Sequence, residues 1–199
     1  IFENVKGLLG QKFSGFFSSI IDNLSEEYTL SYKVLNSKNF GVPQNRERVF
    51  CVGVRKDIQG STFEFPIGGT ANLKIQDIME DSKDFFPPEH KFYSYPFKDS
   101  QNFRQYNRSG KHQKQQSDRV YKFSGICSTL AARESGRPFF LTKDGGIRKA
   151  TLLERKRLQG FPESFVFPNK TAQKSFNQLG NSMTVAVVRE ILKNLLIKG

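Results

Sequence analysis

The sequence predicts an α/β fold to which a second, smaller and mostly β or irregular unit is added. Three observations predict it. Residues 1–55 read as helix, strand, loop and strand, a pattern that suits the second half of an α/β sheet. A stretch from about residue 60 to 124 is then rich in Gly, Pro, Ser, Asn and Gln and has no long helical period. Helical periodicity returns near the end of the chain. Its 199 residues suffice for one large domain or two small ones with cores of their own.

Each element has a local cause. Phe13 to Leu24 places apolar residues at helical spacing with few breakers, so a helix is expected there. Thr29 to Leu35 alternates apolar with polar residues and reads as a strand, and Asn36-Ser37-Lys38-Asn39 forms a turn after it. Val49 to Val54 is a short continuous apolar run, as in a buried strand. Gln101 to Arg119 is polar and basic with Phe103 and Tyr106 interleaved, and reads as a surface segment or a solvated loop. A helix is predicted over Thr151 to Gln159, with Thr151 and Glu154 spaced as a capping box and Gly160-Phe161-Pro162 ending it. The last helix is expected from near Ser182 to about Ile197, with Val185, Val188, Ile191, Leu192, Leu195 and Leu196 as its apolar stripe.

Composition narrows the partners. Lys and Arg number 31 against 19 acidic residues, a formal charge of +12 that favours a polyanion, nucleic acid first. No apolar run is long enough to cross a bilayer, so a soluble cytoplasmic protein without a membrane partner is expected. Cys51 and Cys127 lie far apart in apolar or small-residue surroundings, which predicts reduced, buried thiols and neither a disulfide framework nor a metal site. Ile1 opens the chain inside an apolar phrase, as a cut through a longer protein would, so an upstream portion is expected.

Three phrases carry candidate chemistry. In Gly41-Val42-Pro43-Gln44-Asn45-Arg46-Glu47-Arg48-Val49-Phe50, Arg46 and Arg48 sit two apart on an extended segment and point to one side. With Gln44 they form a row of planar hydrogen-bonding groups suited to phosphates or base edges, or else a charged edge strand. In Ile1-Phe2-Glu3-Asn4-Val5, Glu3 sits where a sheet strand could present an acid or base, or merely a surface carboxylate. Phe176-Asn177-Gln178-Leu179-Gly180-Asn181-Ser182 leads into the final helix, where small polar residues serve a ligand or an ordinary N-cap.

Taken together, these phrases resemble the cytosine-5 DNA methyltransferase family from the first residue almost to the last. Glu3-Asn4-Val5 looks like the family's ENV phrase, and Gln44, Arg46 and Arg48 match its QxRxR phrase. Arg148-Lys149-Ala150-Thr151, with Glu154, Arg157 and Gln159-Gly160-Phe161-Pro162, is similar to its penultimate motif. Gly180 to Met183 resembles its final GNS-V motif, with Met183 in place of the usual Val. The order is the family's, with one long variable stretch between. No FxGxG cofactor loop and no Pro-Cys nucleophile phrase occurs here.

The resemblance implies the C-terminal part of a Rossmann-like S-adenosylmethionine-dependent methyltransferase sheet plus a small target-recognition domain. Residues 1–58 would finish the catalytic domain, 59–174 form the recognition domain, and 175–199 return to the catalytic domain. It implies base flipping, with Glu3 gripping N3 and the exocyclic amine of cytosine, Arg48 holding O2, and Arg46 supporting the flipped nucleotide and its backbone. Asn181 and Ser182 would complete the S-adenosylmethionine pocket. Gln44, Arg46, Arg48, Arg104, Tyr106, Arg108, Lys111, His112, Lys114 and Arg119 would meet double-stranded DNA. The implied partner is an N-terminal half carrying the nucleophile, in a bacterial restriction-modification setting. Two other readings stay open: a non-catalytic DNA-binding subunit, and an RNA cytosine methyltransferase.

Overall fold

The computed structural model describes residues 1–58, 63–69, 72–81, 96–106, 116, 119–132, 138–142, 145–168 and 171–197. Among them, strands β1 (Phe2–Val5), β2 (Tyr28–Asn36) and β4 (Glu47–Arg55) form a three-stranded antiparallel sheet in the order β1-β4-β2. Helix α1 (Ser14–Ser25) joins β1 to β2. The predicted helix and both predicted strands are therefore present, the helix shifted by one residue and each strand extended by one or two at its ends.

Alternation along β4 decides the layering. Val49 points to one face, where it packs with Leu8 and Phe17 beneath α1. Phe50 and Val52 form a core with Leu35 and with Val187 and Ile191 of α4 (Val185–Ile197), so α1 and α4 cover opposite faces. All five of these core residues are below 7% exposed. Burying each such side chain contributes roughly 1.5–3 kcal/mol. The apolar stripe predicted for α4 divides: Ile191 and Leu195, with Val188 at the border, join the sheet core beside Val187, which the stripe did not include. Met183, Val185, Val188, Leu192 and Leu196 line an outward groove beside Arg189 and Lys193, with Leu196 74% exposed.

The smaller unit is built on a five-stranded sheet of β5 (Pro96–Asp99), β6 (Phe103–Tyr106), β7 (Arg119–Tyr121), β9 (Phe139–Leu141) and β10 (Ile147–Lys149), in the order β10-β9-β7-β6-β5. The β7–β9 pair is parallel and the others antiparallel. Its core gathers Ile75, Ile78, Tyr121, Cys127, Leu130, Phe140 and Leu158. The two units are stitched by a parallel pair, β3 (Gln44–Asn45) with β8 (Cys127–Ser128).

Helix α2 (Leu152–Gln159) forms as predicted: Thr151 accepts from the Glu154 amide, Glu154 accepts from the Thr151 amide, and Gly160 closes the helix at φ 72°. Glu154 does more than cap. Its buried carboxylate takes both Arg148 Nη atoms at 2.8 and 2.5 Å, and the Glu80 amide at 2.8 Å.

One helix was not anticipated. Residues Ala172–Asn181 form α3, so Gly180 and Asn181 end a helix instead of opening the last one, and α4 begins three residues later than expected, at Val185. Gly180 reads locally as a breaker, but the helix uses it because a Cβ there would lie 2.4 Å from the Ala132 amide nitrogen. No helix among the described residues is long and apolar enough to cross a membrane.

The buried ion pair yields a stability prediction. Glu154→Ala leaves Arg148 charged and enclosed, and should destabilise the protein by about 3–5 kcal/mol in urea unfolding. A loss within the scatter of surface substitutions, about 0.5 kcal/mol, would contradict that role.

Candidate active site

Strand pairing brings Glu3 to the arginines. Val5 lies opposite Arg48 and Glu3 opposite Phe50, so Glu3 and Arg48 are diagonal neighbours on one face of the β1–β4 ribbon. Arg48 Nε stands 3.1 Å from Glu3 Oε1, and Arg46 Nη2 stands 4.0 Å from the same oxygen. Both arginines thus face the carboxylate, as their two-residue spacing predicts.

Electrostatics sets the carboxyl apart. Glu3 Oε1 is buried yet makes no hydrogen bond among the described residues, and Arg46 Nε is in the same condition. Burial pushes the Glu3 carboxyl up from its ordinary value, against the opposing pull of Arg48 and then Arg46. Burial also lowers Arg46 to about 10, helped by Arg48 and resisted by Glu3, which leaves it charged at neutral pH. Arg48 is lowered for the same first reason. The result is an enclosed acid with an unused oxygen, a group suited to share a proton with a ligand.

Arg46 and Gln44 serve the frame. Arg46 is 2% exposed, with Nη1 donating to the Leu130 carbonyl and Nη2 to those of Gly180 and Ser182, the last at 2.9 Å. Gln44 is fully buried, donates to the Leu158 carbonyl and to Gln159 Oε1, and accepts from the Leu130 amide. Gln44 and Arg46, both expected to meet DNA, turn these polar atoms inward, because segments far apart in sequence leave carbonyls and amides there that need partners. Arg48 keeps partial exposure and spends only Nη1 on a backbone carbonyl, that of Glu47.

A second line of bonds extends this frame. Ser37 Oγ and Thr184 Oγ1 are 2.7 Å apart, Thr184 donates to Gln159 Oε1, and Gln159 donates to the Leu179 carbonyl at 2.6 Å. Sequence reasoning missed Ser37 and Thr184 and gave Gln159 no role. The partners are up to 147 positions apart, and no local pattern marks them.

The other predicted residues separate. Asn181 is exposed and so fits contact with a polar ligand, whereas Ser182 donates its hydroxyl to the Leu179 carbonyl and gives its own carbonyl to Arg46. Arg104 is exposed and lies 3.6 Å from Asp99, while Tyr106 and Arg119 are half-buried. Arg108, Lys111, His112 and Lys114 lie outside the described residues. Cys51 and Cys127 are free and buried, and burial raises the Cys51 thiol, the reverse of an activated thiolate. Among the described residues no cluster of three His, Cys, Asp or Glu could hold a metal.

The family description C-5 cytosine-specific DNA methylase matches residues 1–196. Type II methyltransferase M.Bsp6I of Bacillus sp. (strain RFL6) is 35% identical over 213 residues, covering 97% of this chain and 63% of that protein. M.BsuFI of Bacillus subtilis is 33% identical, with 96% and 46% covered. The chain thus spans roughly half to just under two thirds of these relatives. The fold is that of the S. pombe Dnmt2 methyltransferase (TM-score 0.67, 20% identity, 98% of this chain and 65% of that one). It is equally that of a prophage-encoded DNA modification methyltransferase from E. coli (TM-score 0.63, 23% identity, 98% and 68%). The chain belongs to the C-5 cytosine-specific DNA methylase family.

Two outcomes test the site. Above the ordinary carboxyl value the folded protein keeps a proton on Glu3 that the unfolded chain has released, so stability falls as pH rises through that window. Glu3→Gln, neutral throughout, should be more stable than the parent at neutral pH, with the difference vanishing below about pH 4, read from urea midpoints; a variant less stable at pH 7 contradicts the raised carboxyl. Separately, Gly180→Ala should part α3 from Ala131 and Ala132 and lower the melting temperature by several degrees, roughly 2–4 °C per kcal/mol at this chain length. An unchanged melting temperature would remove the close approach as a constraint.

Proposed function

We propose that this chain is the target-recognition and partial active-site portion of a DNA cytosine-5 methyltransferase. The observation that carries the reading is the enclosed Glu3 carboxyl, whose Oε1 faces Arg48 at 3.1 Å but accepts no hydrogen bond among the described residues. Cytosine is attacked only once it is out of the stack. A flipped cytosine presents N3 and its exocyclic amine to an acid, and O2 to a cation. Glu3, its carboxyl raised, protonates or shares a proton with N3, which draws electron density from the ring as a nucleophile adds at C6. Arg48 donates to O2 and stabilises the same developing charge.

The nucleophile is proposed to be a cysteine of an N-terminal half, since burial makes Cys51 and Cys127 poor candidates. That half would cover the groove of Met183, Val188, Leu192 and Leu196 on α4 and the exposed Val5 and Phe16. S-adenosylmethionine would supply the methyl group as an electrophilic sulfonium. Asn181, exposed at the end of α3 beside the Arg46-bound carbonyls, is the residue here that fits a polar contact to it. Loss of the C5 proton then lets the nucleophile leave. The formal charge of +12 supports a polyanionic substrate.

The test is methyl transfer by the full-length protein to duplex DNA and, in parallel, to transfer RNA. Transfer to the duplex is expected; preference for the RNA overturns the substrate. Arg48→Ala should lower transfer by roughly 100-fold or more while duplex binding changes far less. Equal losses in both would make Arg48 a plain phosphate contact.

A further inference from the structure

The cations of the smaller unit differ in what already neutralises them. Pairing places Arg104 opposite Val120 and Arg119 opposite Gln105, so the two arginines project from opposite faces of the β6–β7 ribbon. On the first face, Asp99 takes both Arg104 Nε at 3.6 Å and Lys122 Nζ at 2.5 Å. On the second, Arg119 meets no carboxylate among the described residues. Its guanidinium carbon lies 4.6 Å over the Phe103 ring, and its charge acts on the neighbouring Tyr121 hydroxyl. Its Nε is buried without a hydrogen bond among the described residues, while the residue as a whole stays partly exposed. The fork is held by stacking, so ordering it on a ligand costs less than for a free side chain.

The face that carries Arg119 is the one wired to Glu3. The Tyr121 hydroxyl bonds Ser128 Oγ, which also accepts from Gln116 at 2.6 Å. The next residue, Thr129, donates to the Asn45 carbonyl at 3.1 Å. Leu130 then gives its carbonyl to Arg46, which stands 4.0 Å from Glu3. An arginine with a planar, pre-ordered fork that meets no carboxylate among the described residues is the side chain best matched to guanine, whose O6 and N7 accept a paired bond.

We propose that Arg119 reads a guanine beside the target cytosine, and that Arg104, on the far face, takes no part in base reading. This rests on the DNA methyltransferase reading above. The experiment exposes a randomised duplex library to the full-length methyltransferase and maps the methylated cytosines with their flanking bases. The parent should require guanine at one flanking position. Arg119→Ala and Arg119→Lys should each relax that single position by roughly 5- to 150-fold while sparing the others, the lysine keeping the charge but losing the fork. Arg104→Ala should leave the profile unchanged. Replacing that guanine by 7-deazaguanine, which lacks N7, should weaken the parent but not Arg119→Ala. A uniform loss across all positions, no change with either Arg119 variant, or a shifted profile with Arg104→Ala overturns the proposal. If the parent methylates no duplex, the functional reading itself fails; the same comparison by binding to the library then still decides whether Arg119 selects a guanine.

Discussion

The structure depends on one desolvated guanidinium. Arg46 is enclosed and charged, and its two Nη atoms are held by three carbonyls drawn from the β8 segment and the end of α3. A buried cation of this kind is tolerated only while its partners stay in place. Because those partners belong to two separate stretches of chain, Arg46 fixes the position of each relative to β4. Gln44, two residues earlier, does the same for α2 and Leu130. The frame of the site and its charge are thus one object.

That arrangement explains the state of Glu3. Two arginines nearby would ordinarily depress a carboxyl, yet burial outweighs both. Arg46 is already committed to carbonyls, and Arg48 approaches in a geometry that leaves Oε1 without a hydrogen bond. An acid so placed is destabilised in its charged form and gains from a ligand that accepts its proton. Such local instability is what functional sites carry at the expense of global stability.

Local rules made much of the fold legible. Alternation over Thr29 to Leu35, the apolar run Val49 to Val54, and the Thr151–Glu154 capping box each had a cause within a few residues, and each stands where it was expected. The pairing of Arg46 and Arg48 on one side was equally legible, since it follows from strand geometry. What escaped was long-range. Gly180 looks like a breaker until Ala132 is brought against it, which is why α3 went unseen. Gln44 looks like a DNA-facing amide until α2 supplies the carbonyl that claims it. Ser37 and Thr184 carry no signal at all before the chain folds.

The central claim is that Glu3 grips N3 of the flipped cytosine. The most direct measurement is a cycle pairing Glu3→Gln with 3-deazacytosine, which has a C–H where N3 would be, at the target position of the duplex. Transition-state stabilisation is compared across the four combinations in the full-length enzyme. If Glu3 acts on N3, each change alone should lower transfer steeply, and the two together should cost little more than either one. Losses that simply add would mean that Glu3 acts elsewhere, and would contradict the account.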